Sequence, residues 1–465
     1  MSRTQTVFVA VLLLLEALLV YFAVAQRFPF SGDDYSYLYQ AKLFASGKLY
    51  AADPLYDPKL PFYECVETFC LRDFQGHRFS KYPPGWPALL AFGVWLGVPW
   101  LVNPVLGATL ALLMLSHVKQ RMGEEAAKAT SVLLLACFFL PYYAGSFRAH
   151  IATAVFIFAA FLLHEANENR AQPSKLRLCA AGALLGCSAL IRYIDWVPLA
   201  VWIGSTLVRR KRLADLLLFG VAFAVPASGN LIYNALLSGD PLQVPATLYH
   251  VPISINDRLM ISWKGFTVTL VRLLRLLMIF PPLLLLLVAW RGRPSAPRIK
   301  MYVVLFAMNV AVYFFYPAAA GGPGPRYFLA YFPFLVLAAA ETYESFSQEL
   351  PRVARPLWRV AIATLIVFNA IFVTDAAYTM YRRRDLARTV RKLGPGQNIV
   401  VLKTGTYDTA AGDLTRNPPA IASAHTLYFK WCDQPKLDAL LKRFPRREVF
   451  VYEYPGRLYS YQPAK

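Results

Sequence analysis

The chain has 465 residues, 57% of them apolar and only 16% charged, with a mean hydropathy of +0.41. That is too apolar for a soluble protein of this length, and the apolar residues come in long blocks, so the sequence reads as a polytopic membrane protein. The net charge of +21 does not point to nucleic acid, because many of the Lys and Arg residues stand in short connectors between apolar blocks, where the positive-inside rule accounts for them.

The first apolar block, residues 7–25, follows a single basic residue, Arg3, and has no small-residue cleavage site before Arg27. It is expected to be an uncleaved signal anchor with its N-terminus inside. A polar loop follows, residues 26–85. Near its start, Ser31-Gly32-Asp33-Asp34 predicts a helix N-terminus, and Gly47-Lys48 predicts the stop. Between them Tyr35, Tyr37 and Tyr39 stand among apolar residues, as expected of a helix lying in the membrane interface. One acid is enough to cap such a helix and complement its dipole. Two adjacent acids at a bilayer boundary, where desolvation is costly, favour a role in chemistry.

Further along the loop, Cys65 and Cys70 in "ECVETFC" could close a small disulfide ring on the oxidising side of the membrane. Cys137, Cys179 and Cys187 lie in apolar segments and read as packing residues. The loop closes with "HRFSKYPPGWPALLAFGVWLG", residues 77–97. Here Lys81 and Tyr82 precede two prolines and an apolar stretch too interrupted for a full span, which predicts a second interfacial helix. A lysine so placed can snorkel to headgroups or ligate a phosphate at headgroup depth.

Spans are then predicted at residues 101–118, 126–143, 150–164, 176–191, 196–208, 213–232, 276–290, 301–316, 327–340 and 360–378, which with the first makes about eleven. The connectors "KQRMGEEAAK", "NRAQPSKLR", "RRKR", "RGRPSAPRIK" and "PRVARPLWR" are all basic and mark the cytoplasmic side, whereas residues 27–85 hold seven basic and seven acidic residues. After residue 380 the pattern changes: "RDLARTVRKL" and "PKLDALLKRF" read as helices, "NIVVLKT" and "EVFVYEY" as strands. The expected organisation is an all-α transmembrane domain, residues 1–380, carrying the first loop, and a small extracytoplasmic α/β domain, residues 381–465. Only "YRRRD", three arginines beside the last span, runs against that sidedness.

Other charges sit at helix ends or inside spans. His150, with Arg148, begins a span, and Arg192 with Asp195 in "LIRYIDW" forms a tight turn. Arg272 and Arg275 share one helical face, where contact with lipid headgroups is the simpler reading. Glu16 stands alone inside the first span and needs a partner there. The six histidines show neither HExxH nor paired metal spacing, and no glycine-rich phosphate loop precedes a helix.

A signal-anchor helix, a loop that opens with an acidic pair and Tyr37, a lysine before paired prolines at its close, and a later "GPRY" entering a span together resemble the C-type glycosyltransferase superfamily. Within it the chain is most similar to bacterial relatives of the protein O-mannosyltransferases and the lipid A aminoarabinose transferase. The resemblance implies about eleven transmembrane helices in the C-type glycosyltransferase fold and a multi-pass protein of the cytoplasmic membrane with an extracytoplasmic site. Asp33 matches the first acid of the family's Asp-Glu motif, the general base; Asp34 stands where that motif has Glu, and both are catalytic candidates. Tyr37 matches the motif's tyrosine and, with Tyr82, would line the substrate. Lys81 matches the lysine associated with the donor phosphate, although Tyr82 intervenes before the prolines, and Arg326 matches an arginine at the outer end of a late span. Arg192 and His150 join these two as candidates for the phosphate site.

The chemistry is coherent without the family. Moving a sugar from a polyprenyl phosphate to a lipid, glycan or protein acceptor needs a base for the acceptor proton and cations for the departing phosphate. Direct attack with inversion needs one carboxylate, whereas a glycosidase pair must flank the scissile bond. Lys and Arg can carry the phosphate charge, so no cofactor is obligatory, and a divalent cation at Asp33 and Asp34 is the less favoured alternative. The rival function is a transporter or flippase for a lipid-linked polar substrate, which would place polar or broken helices near the midplane, often in an internal repeat. No repeat is present, and the polar groups concentrate in one loop and at helix ends.

Overall fold

The computed structural model describes residues 1–465 except 69, 249–262, 281–295, 315–324, 350, 395, 404–413, 454 and 463–465. Helices dominate. Among the described residues six are long and apolar enough to cross a membrane: Arg3–Val24, Pro99–Met122, His150–Glu168, Leu213–Ser238, Pro297–Phe314 and Ala354–Tyr378. Their outward faces are apolar. Leu217, Val221 and Val225, one helical turn apart, are 71%, 62% and 70% exposed, an unbroken apolar stripe that suits lipid as solvent.

Other predicted spans take shorter or broken forms. Residues 176–191 and 196–208 become the helices Lys175–Ile191 and Val197–Arg209. The segment predicted at 126–143 divides at Cys137 into Glu124–Ala136 and Phe139–Ala144. The segment at 327–340 starts as a 3-10 turn, Arg326–Tyr331, and continues as Phe332–Glu349. Of the segment at 276–290, the first residues close the helix Trp263–Ile279 and 281–290 lie outside the described residues. The last span lies within one 40-residue helix, Pro351–Val390, which also takes in "YRRRD" and most of the amphipathic segment that begins at Arg384. From residue 357 to 390 there is no Gly or Pro to stop it.

The chain divides into two compact units, Met1–Val24, Trp100–Gly229 and Ile253–Ala376 in the first, Ala25–Pro99, Asn230–Pro252 and Ala377–Lys465 in the second. In the first unit, Gly182 and Gly186 of "GALLG" let Lys175–Ile191 meet Leu213–Ala227 almost backbone to backbone. A Cβ at Gly182 would lie 2.6 Å from the Phe219 carbonyl oxygen, and one at Gly186 only 2.2 Å from that of Phe223, the small-residue packing of membrane helices. Several cations of the basic connectors are paired: Arg212 bridges Glu168 and Asp215, both at 2.6 Å, and Arg298 meets the buried Glu341 at 2.5 Å. Glu16 is half-buried within Arg3–Leu19.

In the second unit the first loop folds into a helix, Gly32–Ala45, a three-stranded antiparallel sheet and a further helix, Gly85–Trp95. The strands are β1 (Ala51–Ala52), β2 (Leu71–Phe74) and β3 (His77–Ser80), in the order β1-β3-β2. Gly85–Trp95, of 11 residues, is too short to span, as its interrupted sequence foretold. It is anchored by Trp86, which is fully buried. Removing about 150–250 Å² of indole from water is a contribution of several kcal/mol at roughly 25 cal/mol/Å². Across β2 and β3, Arg78 grips Asp73 with two hydrogen bonds of 2.6 and 2.7 Å, donates to the Val66 carbonyl at 3.1 Å and stacks 3.9 Å over Tyr56.

After the long helix come β4 (Asn398–Lys403), β5 (Thr426–Lys430), the helix Gln434–Leu441, β6 (Glu448–Glu453) and β7 (Arg457–Ser460). They form a sheet in the order β5-β4-β6-β7, with β4, β5 and β6 parallel and β7 antiparallel. As the central parallel strand β4 is buried on both faces, which is why it reads as the unbroken run "NIVVL". One face of this sheet shares its core with the loop, Leu43, Leu55, Tyr56 and Val66 packing in one buried cluster with Val401, Leu427, Phe429, Leu437 and Val451, while Val400, Leu402 and Tyr452 pack with Leu386 and Val390 of the long helix in a second.

A disulfide joins the same two segments. Cys65 pairs with Cys432, 367 residues away, with Cα atoms 5.4 Å apart, so the Cys65–Cys70 ring that the sequence allowed does not form. Cys65 sits in the helix Tyr63–Val66, whereas Cys70 lies buried just before β2, where its carbonyl accepts the Ser36 hydroxyl at 2.7 Å. The helix ends at Val66, with Glu67 outside the helical region, so the two cysteines are built into different elements, and Cys65 is bonded to the tail.

Candidate functional site

The candidate residues gather in two clusters, one in each unit. The first stands at the N-terminus of Gly32–Ala45. Ser31, in extended backbone, caps that helix: its hydroxyl accepts the Asp34 amide at 3.4 Å and donates to the Asp34 carboxylate at 2.6 Å. Asp34 is therefore drawn into the cap and fully buried. Its neighbour Asp33, one position earlier on the helical wheel, points elsewhere. The Asp33 Oδ1 accepts a hydrogen bond from the Tyr82 hydroxyl and lies 3.5 Å from the Lys81 Nζ.

Tyr82 is held flat by stacking on the buried Tyr37, ring centroids 4.3 Å apart, and Lys81 lies 5.1 Å above its ring. Both residues follow directly from the end of β3, where Ser80 is fixed by Gln40 Oε1 on its amide at 2.9 Å and by Ser36 Oγ on its hydroxyl at 2.8 Å. The prolines after Tyr82 then turn the chain into Gly85–Trp95. The insertion of Tyr82 between the lysine and the prolines thus places a hydroxyl on the acid. Asp33, Lys81, Tyr82 and Tyr37 form one constellation, a carboxylate with a cation and a phenol on one oxygen.

The second cluster, in the first unit, is cationic and centred on Tyr327. Arg192, Arg272 and Arg326 stand 5.8, 5.1 and 5.3 Å from its ring centroid, and Tyr313 stacks on it at 5.1 Å. Arg192 donates to Asp195 at 2.6 Å and to the Tyr313 hydroxyl at 2.8 Å, and lies 3.1 Å from His150 Nε2. The Tyr313 hydroxyl donates in turn to Asp195. Arg272 is buried and donates to the Tyr313 carbonyl at 3.1 Å. Arg148, also buried, sits 5.5 Å over Tyr143 in the loop that leads to His150, a loop held by Asn103, whose Nδ2 reaches the carbonyls of Tyr143, Ser146 and Arg148.

Three of the four sequence candidates for a phosphate site, Arg192, His150 and Arg326, meet here, and Lys81 belongs to the first cluster. Arg272 corrects the reading of a headgroup-facing pair: only Arg275 is exposed, while Arg272 turns inward. Sequence reasoning missed Tyr313 and Tyr327 as the scaffold of the cluster. Tyr327 was in view within "GPRY", but Tyr313 lies in an apolar run that carries no spacing signal. Among the described residues no three of His, Cys, Asp and Glu are grouped as a metal would need.

The fold is that of a multi-pass membrane protein and is shared with a protein of known structure. It is similar to the crystal structure of ArnT from Cupriavidus metallidurans bound to undecaprenyl phosphate, with a TM-score of 0.58 and 15% identity over 98% of this chain and 94% of that one. The apo structure of the same ArnT gives a TM-score of 0.56 and 16% identity over 97% and 92%. No protein-family model and no curated protein matches the sequence.

Proposed function

We propose that this chain is a membrane glycosyltransferase that moves a sugar from a polyprenyl phosphate to an acceptor at the outer face of the cytoplasmic membrane. The observation that carries the reading is Asp33, a carboxylate at a helix N-terminus oriented by Tyr82 and Lys81 in a fold shared with a protein crystallised with undecaprenyl phosphate. Asp33 accepts the proton of the acceptor hydroxyl or amine as that atom attacks the anomeric carbon. The bond from carbon to the phosphate oxygen breaks, and the polyprenyl phosphate leaves with its electron pair, giving inversion. Phosphate needs no general acid. Its growing charge calls for guanidinium or ammonium donors, and Lys81 beside Asp33 and, in the other unit, Arg192, Arg272 and Arg326 are each candidates for that role. Asp34, spent on the cap, positions the helix.

Two observations support the sidedness. The disulfide between Cys65 and Cys432 belongs in an oxidising compartment, outside the cytoplasm, and the basic connectors belong within it. The test compares lipid-linked sugars and envelope glycans by mass spectrometry in cells with the gene, without it, and with Asp33→Asn. The reading expects one glycan modification to vanish, and its sugar to accumulate on the lipid carrier, in both defective strains. A transporter would instead leave Asp33→Asn active and no sugar transferred by the purified protein.

A further inference from the structure

The segment Arg416–Asn417, 383 residues beyond the acid, closes on both sides of the helix that carries it. The Tyr35 hydroxyl donates to the Asn417 main-chain carbonyl. One residue earlier, the Arg416 guanidinium donates to the Pro29 carbonyl at 3.3 Å and stacks 3.9 Å over the Phe28 ring. Pro29 and Phe28 lead into the cap, and Tyr35 lies in the first turn after Asp33 and Asp34, so the grip spans the helix start.

The gripping segment is itself fixed to a strand. The Asn417 side chain brackets Tyr428 of β5, with Nδ2 donating to its carbonyl at 2.8 Å and Oδ1 accepting its amide at 2.8 Å. Two residues past the end of β5, Cys432 is bonded to Cys65. Around that bridge Lys436 pairs with Glu64 at 2.8 Å and Lys430 with Glu67 at 3.8 Å. Thus one strand is pinned to the first loop twice, from its middle residue through Asn417 and Tyr35 and just past its end by the disulfide. Burial pushes the Tyr35 hydroxyl well above its ordinary range, so it remains a protonated donor.

We infer that Tyr35 is a positioning residue for catalysis: through Asn417 and the Cys65–Cys432 staple, the C-terminal sheet holds the start of the Gly32–Ala45 helix and with it the direction of Asp33. The tail is on this view part of the catalytic apparatus. The inference rests on the glycosyltransferase reading for its kinetic test, and on backbone dynamics for a test that does not.

The experiment uses the full chain in nanodiscs, comparing wild type, Tyr35→Phe and the paired Cys65→Ser/Cys432→Ser variant. Transfer kinetics are measured with the polyprenyl-phosphate sugar that accumulates in the deletion strain, and hydrogen exchange is followed at the amides of residues 33–38. The expected result is a kcat lower by on the order of 10- to 100-fold in both variants, donor KM within about twofold of wild type, and faster exchange at those amides. Restoring tyrosine at position 35 restores all three. Wild-type kcat in Tyr35→Phe, whatever the exchange rate, overturns the inference, and it does so even if the paired variant fails to fold. If wild type transfers no sugar at all, the functional reading is what fails; unchanged exchange in Tyr35→Phe then removes the positioning contact as well.

Discussion

Replacing Asp33 with asparagine removes one negative charge and almost no volume, which makes it the sharpest probe of the first cluster. An asparagine carbonyl can still accept the Tyr82 hydroxyl, and Tyr82 keeps its stack on Tyr37, so the local geometry should survive. The pairing with Lys81 is lost. At 3.5 Å, with side chains 12% and 15% exposed, that pairing is a partly screened bridge, and removing it costs about 1 kcal/mol of stability at most. Catalysis is another matter, because an amide cannot take the acceptor proton. Loss of a general base lowers the rate by about 10²- to 10⁴-fold, or roughly 3–5 kcal/mol of barrier at about 1.4 kcal/mol per decade. The assay is transfer from the accumulated donor lipid by protein in nanodiscs, with quantities matched by blot and folding checked by thermal unfolding. A kcat within threefold of wild type, at equal protein and unchanged unfolding temperature, would refute the assignment of Asp33 as base.

Arg272→Ala should raise donor KM by about tenfold, the scale of one charge-assisted hydrogen bond, whereas Arg275→Ala should leave it within twofold; equal effects of the two in titrations of donor would sink the inward role of Arg272. Asp73→Ala strands the buried Arg78 guanidinium and should destabilise the loop by about 3–5 kcal/mol, seen as a large drop in unfolding temperature and cellular protein level. Arg78→Met with Asp73→Leu should recover much of that loss, because both charges go together. Gly186→Ala forces a methyl into the Phe223 carbonyl and should lower stability by about 1–3 kcal/mol, while Gly220→Ala, with nothing within 4 Å of its Cβ, should be neutral in the same unfolding assay.

The sequence carried its information unevenly. The helix from Gly32 to Ala45 was legible because its signals are local: a serine cap, acids in the first turn and a glycine stop at Gly47, where φ is +70°. The two acids could also be told apart in part, since a cap engages only one of them. Strands buried on both faces, such as β4, announced themselves as apolar runs. β5 and β7 did not. β5, "TLYFK", is short with three of its five residues partly exposed, and β7, "RLYS", is an edge strand of four residues; both are too short to stand out from a loop. The hardest features were those set by distant partners. Nothing near Cys65 distinguishes Cys70 from Cys432 as its mate, and spacing favoured the nearer one. Likewise Arg272 and Arg275 look equivalent three residues apart, and only the packing of Trp263–Ile279 against neighbouring helices separates the buried from the exposed side chain.

The bridge between Cys65 and Cys432 also has a consequence for how the protein is made. Because 367 residues separate the two sulfurs, Cys65 must wait as a thiol while almost the whole chain is synthesised and its helices enter the bilayer. Throughout that wait the nearest competing thiol is Cys70, five positions away. The native pairing can be reached only once the last strands have arrived and folded over the loop. Biogenesis therefore ends with an oxidation that ties the first loop to the segment just past β5, and a strain lacking disulfide isomerase activity should accumulate full-length, inserted and inactive chains.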